Sequence, residues 1–315
     1  MGLRRVKSVS YNIKTFDYVN KRKTFFRLSI FIVVIGIISL LVQGLNLGVD
    51  FKSGTRMDIM IAKPFTEQEV REELKALGLE PGSVETAGDN RERAAVQFGE
   101  PLSKEQIASV KDAFTAKYGE QVDIQESTVD PIVSRELAKN AMYAVAIASI
   151  GIIIYVTIRF EYRFAIAGII ALLHDAFAVI TFFSIFRLEV DLPFIAAILT
   201  IVGYSINDTI VTFDRIRENL RLYKVKKMED LEKVVNVSIQ ETIVRSINTV
   251  ITVVFAAAAL FIFGGPAIQN FALALLVGLL FGMYSSIFIA SQIWLEWKGR
   301  DLAKNRFSSA NNEAS

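Results

Sequence analysis

Two neighbouring residues, Asn207 and Asp208, sit inside the apolar part of the stretch Thr200–Leu220, TIVGYSINDTIVTFDRIRENL. An ionised carboxylate near a bilayer centre costs at least ~2.5–3.5 kcal/mol, so Asp208 calls for a chemical reason. The chemistry open to a lone membrane carboxylate is the gain and loss of a proton. Arg245, in a second apolar run, supplies an opposite charge. Counted from the outer ends of their helices at 1.5 Å per residue, Asp208 lies ~24 Å deep and Arg245 ~27 Å deep. The two therefore fall at nearly one level, where pairing lowers the cost each imposes alone. Snorkelling of Arg245 to the inner interface is the equal alternative. Asn248, Thr249 and Thr252 continue the Arg245 face, and Ser205 and Thr212 flank Asp208 at the same helical spacing. Two facing polar stripes of this kind can hold water and a proton path. Interhelical hydrogen bonding explains the Ser and Thr positions equally well, but Asp208 less so.

His174 and Asp175 form a second buried polar point, ~15 Å into their own helix. His174 is the chain's single histidine. Imidazole titrates near neutrality, which admits a relay role; a pair satisfied by neighbouring helices is the other reading. Adjacent helical residues point ~100° apart, so a close two-point pairing between them is not expected. One His and one Asp make too thin a shell for a metal. With no cysteine, thiolate metal sites and cysteine nucleophiles are excluded. No cofactor is expected, and neither is an enzymatic reaction.

These residues need helices in a bilayer to position them. Of 315 residues, 52% are hydrophobic. Six runs, near 24–45, 137–158, 164–186, 192–213, 242–263 and 267–293, are long enough to span ~30 Å of hydrocarbon. The basic segment 1–23 and the basic loop 214–241 place the N-terminus, that loop and the tail 294–315 in the cytoplasm. An interfacial amphipathic helix in 1–23 and a disordered end at 308–315 are also expected. The basic loops suit anionic lipid headgroups, and no nucleic-acid signature accompanies them. Small residues recur at Gly278-x-x-x-Gly282-x-x-x-Ser286, Ala144-x-x-x-Ala148 and Ala167-x-x-x-Ala171. Such faces serve packing within the bundle or a partner's helices; a partner docking on Gly278–Gly282 is one expectation.

Residues 46–136 are far less apolar and read as a separate outer domain. Arg56–Lys63 alternates as a strand, and Thr66-x-x-Glu69 and Ser103-x-x-Gln106 are capping boxes opening two helices. Strands follow at 84–87, 94–98 and 122–127, the middle pair joined by a Gly-Asp-Asn turn. The order β-α-β-β-α-β is that of a ferredoxin-like domain. It carries no catalytic cluster, so contact or movement is its expected role.

GVDFKSGT (48–55), the His174–Asp175 pair, GYSINDTIVTFDRIREN (203–219), SINTVITV (246–253) and FALALLVGLLFGMYSSIFIAS (271–291) resemble the SecF family of the bacterial Sec translocation machinery. The resemblance covers nearly the whole chain. It implies a subunit in the cell membrane that pairs with SecD and assists the SecYEG channel and SecA motor. Its six helices would be half of a resistance-nodulation-division bundle. The proton motive force would then drive late steps in the export of preproteins. The family's membrane Asp and Arg map onto Asp208 and Arg245. Movement of the outer domain is expected to be relayed through Asn46–Thr55, which holds Asp50 and Gly54, and through Thr128–Arg135. Ser53, Met283 and Gln292 stand where glycine, threonine and proline are usual. Half of a proton-driven exporter of small solutes or lipids is the alternative reading.

Overall fold

The structure, a computed structural model, describes residues 17–61, 64–87, 93–119 and 122–313. The expected amphipathic helix falls mostly outside them, and 17–21 form a turn leading into the first helix. Among the described residues, six helices are long and apolar enough to cross a membrane.

The first is α1 (Arg22–Val42). After it come a short strand β1 (Asn46–Leu47), one turn α2 (Val49–Lys52) and the outer domain. That domain comprises β2 (Gly54–Met60), α3 (Glu67–Ala76), β3 (Ser83–Ala87), β4 (Arg93–Phe98), α4 (Lys104–Tyr118) and β5 (Asp123–Val129). Its sheet has the order β3-β4-β2-β5, antiparallel throughout, which is the ferredoxin-like arrangement. Both capping boxes form: Thr66 and Ser103 each accept from the backbone N–H of Glu69 and Gln106. Met57, Ile59, Val96, Val70, Leu74, Val110 and Phe114 meet in one core between sheet and helices. The turn expected between the middle strands lies outside the described residues.

The remaining membrane helices are α5 (Pro131–Arg159), α6 (Tyr162–Ile185), α7 (Leu192–Leu222), α8 (Met228–Phe263) and α9 (Pro266–Ser285). A five-residue π-helix (Ser286–Ala290) joins α9 to α10 (Ser291–Glu313). A strand β6 (Glu189–Val190) precedes α7 and pairs in parallel with β1. The loop expected over 214–241 is instead mostly helix, with α7 and α8 running past their apolar portions. Ile216, Leu231, Val235 and Ile239 explain this, since they stay buried in the bundle core beyond the apolar runs. The tail expected to be disordered is helical through Glu313.

Arg22 bonds Glu232 at 3.0 Å and Glu296 at 2.7 Å, and Arg159 meets Asp214 at 2.8 Å. The start of α1, the α5–α6 turn, the α7–α8 turn and α10 therefore share one end of the bundle. The outer domain stands at the other.

The Gly278–Gly282 face is not open to a partner. A Cβ at Gly278 would overlap Ile201 of α7, and one at Gly282 would lie 3.2 Å from Ser205. Ala167 and Ala171 are likewise buried inside the bundle. Apolar faces are uncovered on α5, where Ile147, Ile150, Ile154 and Ile158 are exposed, and also on α1 and α8.

Candidate functional site

Asp208 is buried on α7 between α8 and the π-helix. Its Oδ1 accepts a hydrogen bond from Ser246 Oγ at 2.5 Å. Its Oδ2 is buried and has no hydrogen-bond partner among the described residues. One residue along α7, Thr209 exchanges a hydrogen bond with Ser286 of the π-helix at 2.8 Å. π-Turns inside helices are frequent at functional sites, because they displace backbone and side chains from the regular ladder.

Asp208 and Arg245 form no direct ion pair, although Arg245 lies close enough to act on the carboxylate through its charge. Arg245 is exposed and forms no ion pair among the described residues. Ser246 and Arg245 are adjacent and so point ~100° apart; α8 turns the serine inward and the arginine outward. Asn248, Thr249 and Thr252 are exposed on α8 together with Arg245. Asn207 is exposed on α7 while its neighbour Asp208 is not. The polar stripe of α8 thus lies on an uncovered face rather than opposite Asp208. Thr212 is buried, and its hydroxyl has no hydrogen-bond partner among the described residues.

Asp175 is the better-satisfied carboxylate. Its Oδ2 accepts from Ser205 Oγ of α7 at 2.6 Å and from Ser285 Oγ of α9 at 2.7 Å. His174 Nδ1 approaches its Oδ1 at 3.3 Å, a single long contact and not a two-point pair. His174 Nε2 is buried without a partner among the described residues. Asp175 therefore ties α6, α7 and α9 together one turn from Asp208. Ser246, Ser285 and Ser286 are the residues that sequence reasoning passed over. Ser246 opens the SINTVITV run, and Ser286 was visible only as a small residue in a packing motif.

The outer domain reaches α7 through the segment 48–55. Asp50 Oδ2 accepts from the backbone N–H of Leu192 at 2.9 Å, and Asp191 caps the same helix through Phe194 N–H at 2.8 Å. Negative charge at a helix N-terminus is favourable, because the first N–H groups have no partner inside the helix. Gly54 has φ 119°, and a Cβ there would overlap the Phe98 carbonyl of β4. Thr55 bonds Thr128 at 2.9 Å and accepts from Leu102 N–H at 2.8 Å. Ser53 has φ 67° and ψ 169°, a conformation that favours glycine.

Two family models match the chain. One is described as protein export membrane protein SecD/SecF, C-terminal, and covers residues 109–300; the other is the SecD/SecF GG motif, over 38–64. The protein translocase subunit SecDF of Bacillus subtilis is 55% identical over 289 residues, which are 92% of this chain and 39% of that protein. The protein translocase subunit SecF of Alicyclobacillus acidocaldarius is 47% identical over 292 residues, 92% of this chain and 95% of that one. The crystal structure of SecDF from Thermus thermophilus, a translocon-associated membrane protein, superposes with a TM-score of 0.80 at 32% identity. It covers 90% of this chain and 38% of the SecDF chain. A SecDF structure in a super-membrane-facing form matches with a TM-score of 0.67 at 30% identity, covering 93% and 40%. The chain spans about two fifths of the SecDF relatives and nearly the whole of the separate SecF relatives. The matched motifs, the six apolar helices and the outer ferredoxin-like domain agree, and the chain belongs to the SecD/SecF family of protein export membrane proteins.

Proposed function

We propose that this chain is the SecF part of a proton-driven, non-enzymatic accessory complex that promotes late steps of preprotein export. SecD supplies the rest of the membrane bundle, and SecYEG and SecA are the machinery assisted. The observation that carries the reading is Asp208, a buried carboxylate whose Oδ1 is bonded to Ser246 and whose Oδ2 meets no partner at full hydrogen-bond geometry among the described residues, with the Ser286 hydroxyl beside the carboxylate. Beside it, an uncovered polar stripe on α8 holds Arg245, Asn248, Thr249 and Thr252. A membrane-facing guanidinium is costly, so that stripe belongs against other helices or water rather than lipid. SecD helices docked there would enclose Arg245 near Asp208, and its long side chain would swing toward or away from the carboxylate. His174 and Asp175 brace the helices around this point. Asp50 and Gly54 link the outer domain to α7, so that a change at Asp208 reaches the outer side. Both bundle termini lie on the cytoplasmic side of the cell membrane in this reading, following the basic segments.

The test is preprotein translocation into inverted vesicles carrying the full complex, with and without a proton gradient. Asp208→Asn keeps size and hydrogen-bonding capacity but cannot ionise. It is expected to abolish stimulation by the gradient while complex abundance stays normal. Normal stimulation would refute the carrier role; loss of assembly alone would point to a scaffold.

A further inference from the structure

A cluster of charges stands where the outer domain meets the membrane base, away from Asp208. Arg56 of β2 forks: its Nε and Nη2 each donate to Asp58 at 3.0 Å, and its Nη1 donates to Glu189 of β6. Arg56 and Glu189 are 15% and 10% exposed at their side chains, so this contact is largely closed to water. Glu189 is held from several sides. Its backbone pairs with Asn46, its carbonyl accepts from Asn270 Nδ2 of α9 at 3.1 Å, and its side chain lies against Gly48, where any Cβ would overlap it. Gln97 of β4 also reaches its carboxylate. The cluster borders a cavity of about 250 Å³ between the open face of the sheet and the base; Glu85, Arg93 and Asp123 are the other charged groups lining it.

The geometry points to a latch at Arg56 and Glu189 that holds the outer domain on the membrane base and tightens as the outer solution becomes more acidic. The sign follows from the surroundings of Glu189. Burial outweighs the attraction of Arg56, and Asp191 and Asp58 add like charge, so its carboxyl is pushed up to about 7. Arg56 opposes this rise, but its charge is shared with Asp58, which engages two of its donor groups. Burial also pushes Asp191 up, with Asp50 as a further like charge. Undocking returns Glu189 to water and to the ordinary value of 4.5. The docked state therefore binds the proton more tightly. Its gain is fully present below about 4.5 and is lost as pH rises through about 7. The latch goes beyond the role given to Asp208 and does not rest on it, since docking is measured without translocation.

The chain has no cysteine, so a spin-label pair at Lys111→Cys on α4 and Phe186→Cys beyond α6 is unique. Both positions are exposed. Distances are measured by pulsed electron resonance on the full chain in lipid nanodiscs from pH 5 to pH 8. One short distance is expected at pH 5, with a longer population growing as pH rises. The docked-to-released ratio should fall on the order of 40-fold between pH 5 and pH 7. Glu189→Gln, a mimic of the protonated form, should stay docked throughout. Should that variant fail to accumulate, Arg56→Met serves, and it should release more at pH 8 than the parent and recover at pH 5. A pH-independent parent, an unchanged response in Glu189→Gln, or an Arg56→Met variant identical to the parent would overturn the latch. So would loss of the response in Asp208→Asn, which would place the titration elsewhere.

Discussion

Asp208 takes its hydrogen bond from Ser246 at 2.5 Å, while Arg245, the preceding residue of the same helix, is exposed and makes no ion pair with it. A carboxylate buried with only serine hydroxyls beside it, Ser246 and Ser286, is weakly stabilised as a charge, which suits the proton exchange proposed for it. A guanidinium fixed against the same carboxylate would instead hold it ionised. In the proposed cycle the serine keeps the carboxylate oriented while the arginine approaches and withdraws.

Ser246→Ala follows from this contact. It removes the donor seen at Asp208 and leaves a buried polar group short of a partner, at a cost of about 1–3 kcal/mol. Gradient-stimulated export should fall in Ser246→Ala and recover in Ser246→Thr, which restores the hydroxyl. Translocation into inverted vesicles, with complex abundance checked on the same membranes, reads both. Full stimulation in the alanine variant would show the hydroxyl to be dispensable.

Ser53 occupies a backbone region of φ 67° and ψ 169° in the turn just before Gly54. Non-glycine residues pay about 1–3 kcal/mol there, and glycine gives back about 0.5–1 kcal/mol through greater freedom in the unfolded chain. Ser53→Gly should therefore stabilise the junction by about 1 kcal/mol. Thermal unfolding of the purified protein should show a higher midpoint, and a lower one would mean that the serine hydroxyl has a structural task.

The two small or polar helix faces should respond in opposite ways to change. Gly278→Val forces a side chain into Ile201 and should cost about 1–3 kcal/mol or more, lowering abundance of the chain itself. Thr249→Cys lies on the uncovered face of α8 and should leave folding intact. It should form a disulfide with a cysteine placed on a facing SecD helix, whereas Gly278→Cys should not. Efficient cross-linking from position 278 and none from 249 would reverse the assignment of the partner face.

Hydropathy and charge alone determined the six spans, because a bilayer demands about twenty apolar helical residues whatever the neighbours are. The capping boxes at Thr66 and Ser103 and the alternation in β2 were equally local, and the order of the elements led to the ferredoxin-like domain. The identity of Asp208 as a buried carboxylate was legible for the same reason: its cost is set by the apolar residues beside it in the chain. Its partner was not. Depth arithmetic places Arg245 and Ser246 at nearly the same level, and only the rotation of α8 about its axis, set by packing against α7 and α9, decides which one faces inward. The π-turn at 286–290 sets Ser286 against Thr209, which no local pattern foretells. Tertiary structure also decided that Gly278 packs on α7 rather than on a partner, since small-residue spacing is the same for both uses. The Arg56–Glu189 contact joins residues 133 positions apart, and no local pattern marks it. It exists because β1 and β6 pair across the junction and bring the sheet of the outer domain down onto the short turn before α7.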